Sequence, residues 1–205
     1  AHQHVASHII CKLLAHRPDI HLQLCNVERR EMAAAIERFS FDVAFLFGET
    51  TPNDAVKEIP LFKEDQYILC PANTPLPERS LTPEDLDPKY FVAYAAYRRS
   101  ANFMDWYDRC FQDQPMTPMF EASSLASIHN YLNDPRCWTV VPASIAIADV
   151  AQRMDQLTYR QIAPAPPARI CNILISRSYT EKSLLQAFLA CCDSFIQERP
   201  YLHKI

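Results

Sequence analysis

A chain of 205 residues, 49% hydrophobic and 21% charged, has the composition of a folding globular protein and the length of one large domain or two small lobes, which excludes disordered and fibrous classes. Its formal net charge of −4, with Lys and Arg scattered, excludes a nucleic-acid-binding role for this segment by itself, since such domains carry a basic face. Gly48 is its only glycine, where average usage predicts about fourteen, so there is no glycine-rich phosphate cradle, dinucleotide fingerprint or nucleophile elbow.

Val5, Ile9, Ile10, Leu13 and Leu14 recur at helical spacing until Arg17-Pro18-Asp19 stops the helix. Ile20, Leu22 and Leu24 alternate with His21, Gln23 and Cys25, the period of a half-buried strand. A helix is predicted over Glu28–Phe39, and the apolar run Asp42–Phe47 reads as a parallel strand covered on both sides. After a polar loop come Ile59-Pro60-Leu61 and a strand over Gln66–Cys70. Pro71–Pro88, with five prolines, opens as a connector between lobes.

A second series follows: strand Tyr90–Tyr94, helix Ser100–Phe111, strand Thr117–Glu121, helix Ser124–Leu132, strand Trp138–Val141 and helix Ala143–Gln152. Strands alternating with helices predict βαβ units and a mainly parallel sheet. A strand near Leu157–Ile162, the stiff Pro164–Pro167 spacer, an apolar strand Ile170–Ile175 and a helix Thr180–Glu198 close the chain.

No run approaches the roughly 18 to 20 apolar residues that cross a bilayer, and the N-terminus lacks the features of a signal peptide. The chain therefore reads as cytoplasmic, and its opening residues read as the inside of a helix in a longer protein. Eight cysteines fall at no metal-ligand spacing and include the adjacent pair Cys191-Cys192, the pattern of reduced, mostly buried thiols. His4 and His8 share a helical turn but lack a third ligand at a recognised spacing, so the histidine-rich start reads as a polar or dimer-facing surface, and no metal or cofactor is expected.

The ordered elements resemble the effector-binding domain of LysR-type transcriptional regulators across essentially the whole chain. The resemblance rests on Pro18–Leu24, Phe41–Phe45, Ile59-Pro60-Leu61 followed by Tyr67–Leu76, Leu81–Leu86, Glu121–Ser124, Thr139–Pro142 and the Phe188-Leu189 helix. Two family glycines are replaced, by Phe39-Ser40 and by the turn Asn133-Asp134-Pro135-Arg136. The resemblance implies an α/β fold of two Rossmann-like lobes, type 2 periplasmic-binding-protein-like, with residues 1–70 and 168–205 in one lobe and 71–167 in the other. It places the crossovers at Pro71-Ala72 and in the strand Ile170–Ile175, and it puts the family's first strand and winged helix-turn-helix before Ala1.

The implied function is sensing: a small molecule bound in the inter-lobe cleft modulates DNA binding by the upstream domain. The protein would be a homodimer or tetramer through its first helix, with no membrane partner. The alternative is a solute-binding receptor of a transport system on the same fold. No paired carboxylates, nucleophile with its base, or metal set stands at a convincing spacing, so no enzyme is expected. The candidate effector-binding residues are Glu28, Arg29, Tyr97, Arg98, Ser100, Ser123, Ser124, Thr139 and Pro142, with Arg29 and Arg98 favouring an organic anion. Arg30 reads as solvated, and Cys110 and Cys137 are considered as redox switches.

Overall fold

The structure is a computed structural model that describes residues 2–27, 29–38, 40–48, 54–112, 114–153 and 155–205, with the backbone alone given for residues 2–4, 29–30 and 126–127. The chain divides into two compact units, one continuous over residues 65–168 and one discontinuous, built from 2–64 and 169–205.

In the discontinuous unit, helix α1 (His2–His16) buries Val5, Ile9 and Leu13 against Phe188, Cys192 and Phe195 of helix α5 (Lys182–Gln197). Those spacings set one apolar stripe per helix. Lys12 secures the pair from outside by reaching Ser194 and Glu198. Below them a four-stranded sheet runs in the order β1 (Val43–Phe47), β8 (Arg169–Ser176), β2 (Val56–Glu64), β9 (Leu202–Lys204). Helix α2 (Arg29–Glu37) buries Ile36 with Leu46, Val56 and Leu174.

Two expectations change here. Val43–Phe47 is not in a parallel pair, because its ladder partner is β8, running antiparallel from Val43↔Ile175 to Phe47↔Cys171. An apolar run reports burial and is silent on direction. Strand β2 leads out to the continuous unit and β8 leads back, so β8 must run opposite to β2, and it inserts between β2 and β1. The segment Ile20–Cys25 forms no strand. Ile20 packs on the core, but Leu22 and Leu24 are 44% and 50% exposed, and no described residue completes a ladder with them. Alternation marks a two-faced segment, and a strand also needs a neighbour for its N–H and C=O groups.

The continuous unit is a mixed sheet. Strand β3 (Gln66–Pro71) lies between β6 (Thr139–Pro142) and β7 (Leu157–Arg160), antiparallel to both. Strands β4 (Val92–Tyr94) and β5 (Phe120–Ala122) pair in parallel, and the parallel bridge Phe91↔Trp138 joins β4 to β6. Parallel pairing thus holds for the helix-linked strands, while β3 breaks the mainly parallel expectation. Between the strands run helices α3 (Ala101–Cys110) and α4 (Ala143–Gln152) and a 3-10 helix at Leu125–Tyr131.

The core of this unit is aromatic. Phe91 lies 4.5 Å from Trp138 and 5.5 Å from Tyr107, and Phe103 stacks on Tyr97 at 4.0 Å. The turn that replaces a family glycine is held by charge. Asp134 accepts from the Arg136 backbone and guanidinium, which draws its carboxyl down to about 2, and that guanidinium lies 4.1 Å over the Tyr90 ring.

The crossovers also move. The chain passes between units at Glu64/Asp65 and Ala168/Arg169, not at Pro71-Ala72 or within Ile170–Ile175. The reason is pairing: all ladder partners of β3 lie in the continuous unit, and all those of β8 in the discontinuous one.

Candidate functional site

Parallel strands aim their carboxyl ends at one edge of a sheet, where ligands of open α/β folds sit. In the continuous unit Tyr94 is opposite Ala122 at the ends of β4 and β5. The 3-10 turn Ala95–Arg99 and the pair Ser123-Ser124 therefore leave the sheet at the same edge. Arg98 is in that turn, its side chain 46% exposed, and its Nε donates to Glu121 Oε2 at 2.6 Å. Ser100 caps α3, its Oγ accepting from Phe103 N at 3.4 Å. Ser123 and Ser124 are exposed before the 3-10 helix Leu125–Tyr131. Arg98, Ser123 and Ser124 thus follow β4 and β5 at one edge of the sheet, and Ser100 opens the helix after the Arg98 turn.

Three other candidates belong to the interior. Tyr97 is buried, stacked on Phe103, with its hydroxyl donating to Gln66 Oε1 at 2.6 Å and to Val140 O at 3.0 Å. An amphipathic ring beside a charged pair reads the same in sequence whether its hydroxyl meets ligand or core. Thr139 opens β6 rather than ending it. It is fully buried, its hydroxyl without a hydrogen-bond partner. Pro142 is buried at the start of α4, opposite Gln66 in the β3–β6 ladder. Arg29 opens α2 by its backbone; its side chain, that of Arg30 and all of Glu28 lie outside the described residues.

Two residues that matter here escaped the sequence reading. Glu121 is the counter-charge of Arg98, and the only signal was its place in the Glu121–Ser124 stretch. Gln66 is a buried amide bonded at both ends, with no signal beyond a polar residue opening an apolar strand.

The cysteines are free thiols, and five are buried. Burial pushes Cys70 up to about 11 and Cys192 to about 12. Cys110 and Cys137 are also raised by burial, so neither is poised as a thiolate. Among the described residues no group of three or more His, Cys, Asp or Glu could hold a metal ion, and no helix is long and apolar enough to cross a membrane.

An exposed arginine, two serines and a capped helix N-terminus follow parallel strands of an α/β module. The sequence profile of the LysR substrate binding domain matches residues 1–196, and the chain belongs to that family. It is a LysR-type regulatory, effector-binding domain with the type 2 periplasmic-binding-protein-like fold. Among solved structures it is similar to the reduced OxyR regulatory domain from Pseudomonas aeruginosa, with TM-score 0.76 and 19% identity over 98% of this chain and 93% of that one. Reduced OxyR from N. meningitidis gives TM-score 0.74 and 16% identity over the same shares. The MetR regulatory domain from N. meningitidis gives 0.69 and 15%, over 99% of this chain and 93% of that one. No curated protein matches the chain.

Proposed function

We propose that this domain receives a small organic anion at the carboxyl ends of β4 and β5, and that occupancy regulates transcription through a separate DNA-binding domain. The observation that carries the reading is Arg98. It is half exposed and held by Glu121 through Nε, and its two terminal nitrogens are the pair that would form the planar, bidentate fork that carboxylates favour. Glu121 orients the guanidinium and also repels an anion. The two substitutions therefore act with opposite sign.

The test is calorimetric titration of carboxylates, sulfate and phosphate into the wild-type, Arg98→Ala and Glu121→Gln proteins. Arg98→Ala should weaken binding by about ten- to a hundredfold, from a charge-assisted bond of roughly 1.5 to 3 kcal/mol. Glu121→Gln should tighten it by a few-fold. A ligand that proves neutral or cationic, or an affinity indifferent to Arg98, sinks the anion reading while leaving the family intact.

The reading is of a regulator and not an enzyme. A net charge of −4 disfavours contact with the nucleic-acid backbone, so DNA contact is assigned to a separate domain. Reduced thiols suit the cytoplasm. We assign a homodimer or tetramer, supported by exposed Leu14 on α1 and by Leu22 and Leu24 after it, since exposed apolar groups favour association. Sedimentation should show dimers at micromolar concentration, and a monomer at the highest concentration reached would reject the assignment.

A further inference from the structure

Asp65 and Ala168 are the first and last residues of the continuous unit, and the two exits are anchored differently. The first is held by main chain. Asp65 O accepts from Ala143 N at 2.9 Å, and Gln66 stands in the β3–β6 ladder. The second follows Pro164-Ala165-Pro166-Pro167, where three residues have no N–H to give. Its carbonyls are taken by side chains from elsewhere in the unit: Trp106 Nε1 donates to Pro164 O at 2.9 Å, and Gln66 Nε2 to Pro167 O at 2.6 Å.

Gln66 joins both exits. Its backbone belongs to the first and its amide nitrogen grips the second. The orientation of the amide follows from its partners, because a proline carbonyl can only accept. Nε2 must therefore face Pro167, which leaves Oε1 for the Tyr97 hydroxyl at 2.6 Å. Tyr97 is in the turn Ala95–Arg99, next to Arg98. Gln66 is 5% exposed and Tyr97 6%, so water does not readily replace these bonds.

We infer that Gln66 is a positioning residue for the regulatory response: it fixes the separation of the two points where the chain leaves the continuous unit, and through Tyr97 it ties both to the turn that carries Arg98. Its use in signalling rests on the effector reading above. Its test does not.

The experiment compares the wild-type chain with Gln66→Leu and Tyr97→Phe, without ligand. Hydrogen exchange reads local opening. Gln66→Leu should accelerate exchange of the Trp106 indole N–H, which bonds Pro164 O at the second exit, about five- to tenfold, the loss expected of one buried bond. Tyr97→Phe keeps the Pro167 bond and should accelerate it about two- to fivefold. The amides of Val140 and Val141 in β6 should keep their wild-type rates, which a merely destabilised unit would not do.

Unchanged exchange of the Trp106 indole N–H overturns the proposal, as does equal acceleration in β6. Acceleration by Gln66→Leu with none from Tyr97→Phe overturns the link to the Arg98 turn. If titration finds no anion at Arg98, the effector reading fails and these results stand.

Discussion

Trp138→Ala should lower the stability of the continuous unit by about 3–5 kcal/mol, the range for removing a large buried aromatic. Trp138 is 1% exposed, packs on Phe91 at 4.5 Å and Phe111 at 5.5 Å, and donates from Nε1 to Asp87 O at 2.8 Å. The truncation leaves a cavity among rings that cannot collapse around a methyl group, and it takes one of two donors from Asp87 O, which keeps Tyr90 N at 3.0 Å. Domains of this size hold about 5–15 kcal/mol in all, so much of the margin goes with one side chain. Guanidinium unfolding followed by the remaining Trp106 measures it, and a loss below about 1 kcal/mol would show that the aromatic cluster does not hold the unit together.

Phe195→Ala should do the same to the other unit, again by about 3–5 kcal/mol. Phe195 is buried between α1 and α5, with His8 at 6.1 Å and the Arg199 guanidinium 3.8 Å over its ring. Because both tryptophans lie at 65–168, their fluorescence should barely respond, while amide protection in α1 and α5 falls. Each substitution is thus expected to leave its mark on one side of the Glu64/Asp65 and Ala168/Arg169 crossings. Equal loss of protection in both units from either substitution would mean that they unfold as a single cooperative body.

The helices were the most legible elements. α1, α3, α4 and α5 each carry a stripe of apolar residues at helical spacing, and that pattern needs only its own segment to be read. Strand existence was legible too, but strand partnership was not. Val43–Phe47 pairs with residues more than 120 positions away, and Ile20–Cys25 alternates like a strand without a described partner. At the candidate site, the sequence grouped Arg98 with Ser123 and Ser124 because loops after parallel strands lie together. It could not separate Arg98, at the surface, from Tyr97, its neighbour in the core. In a tight turn successive side chains point to different surroundings, and nothing local says which is which. Glu121 stayed hidden for the complementary reason, as an ion pair 23 residues apart is a property of the parallel β4–β5 pairing.

Gly48 adopts a φ of 96° at the end of β1, where its N–H donates to Ile170 O, and it is the only glycine beside sixteen prolines. Glycine widens the range of an unfolded chain and proline narrows it. A chain so composed has fewer conformations to surrender when it folds, so part of its stability resides in no contact at all but in the stiffness of its denatured state.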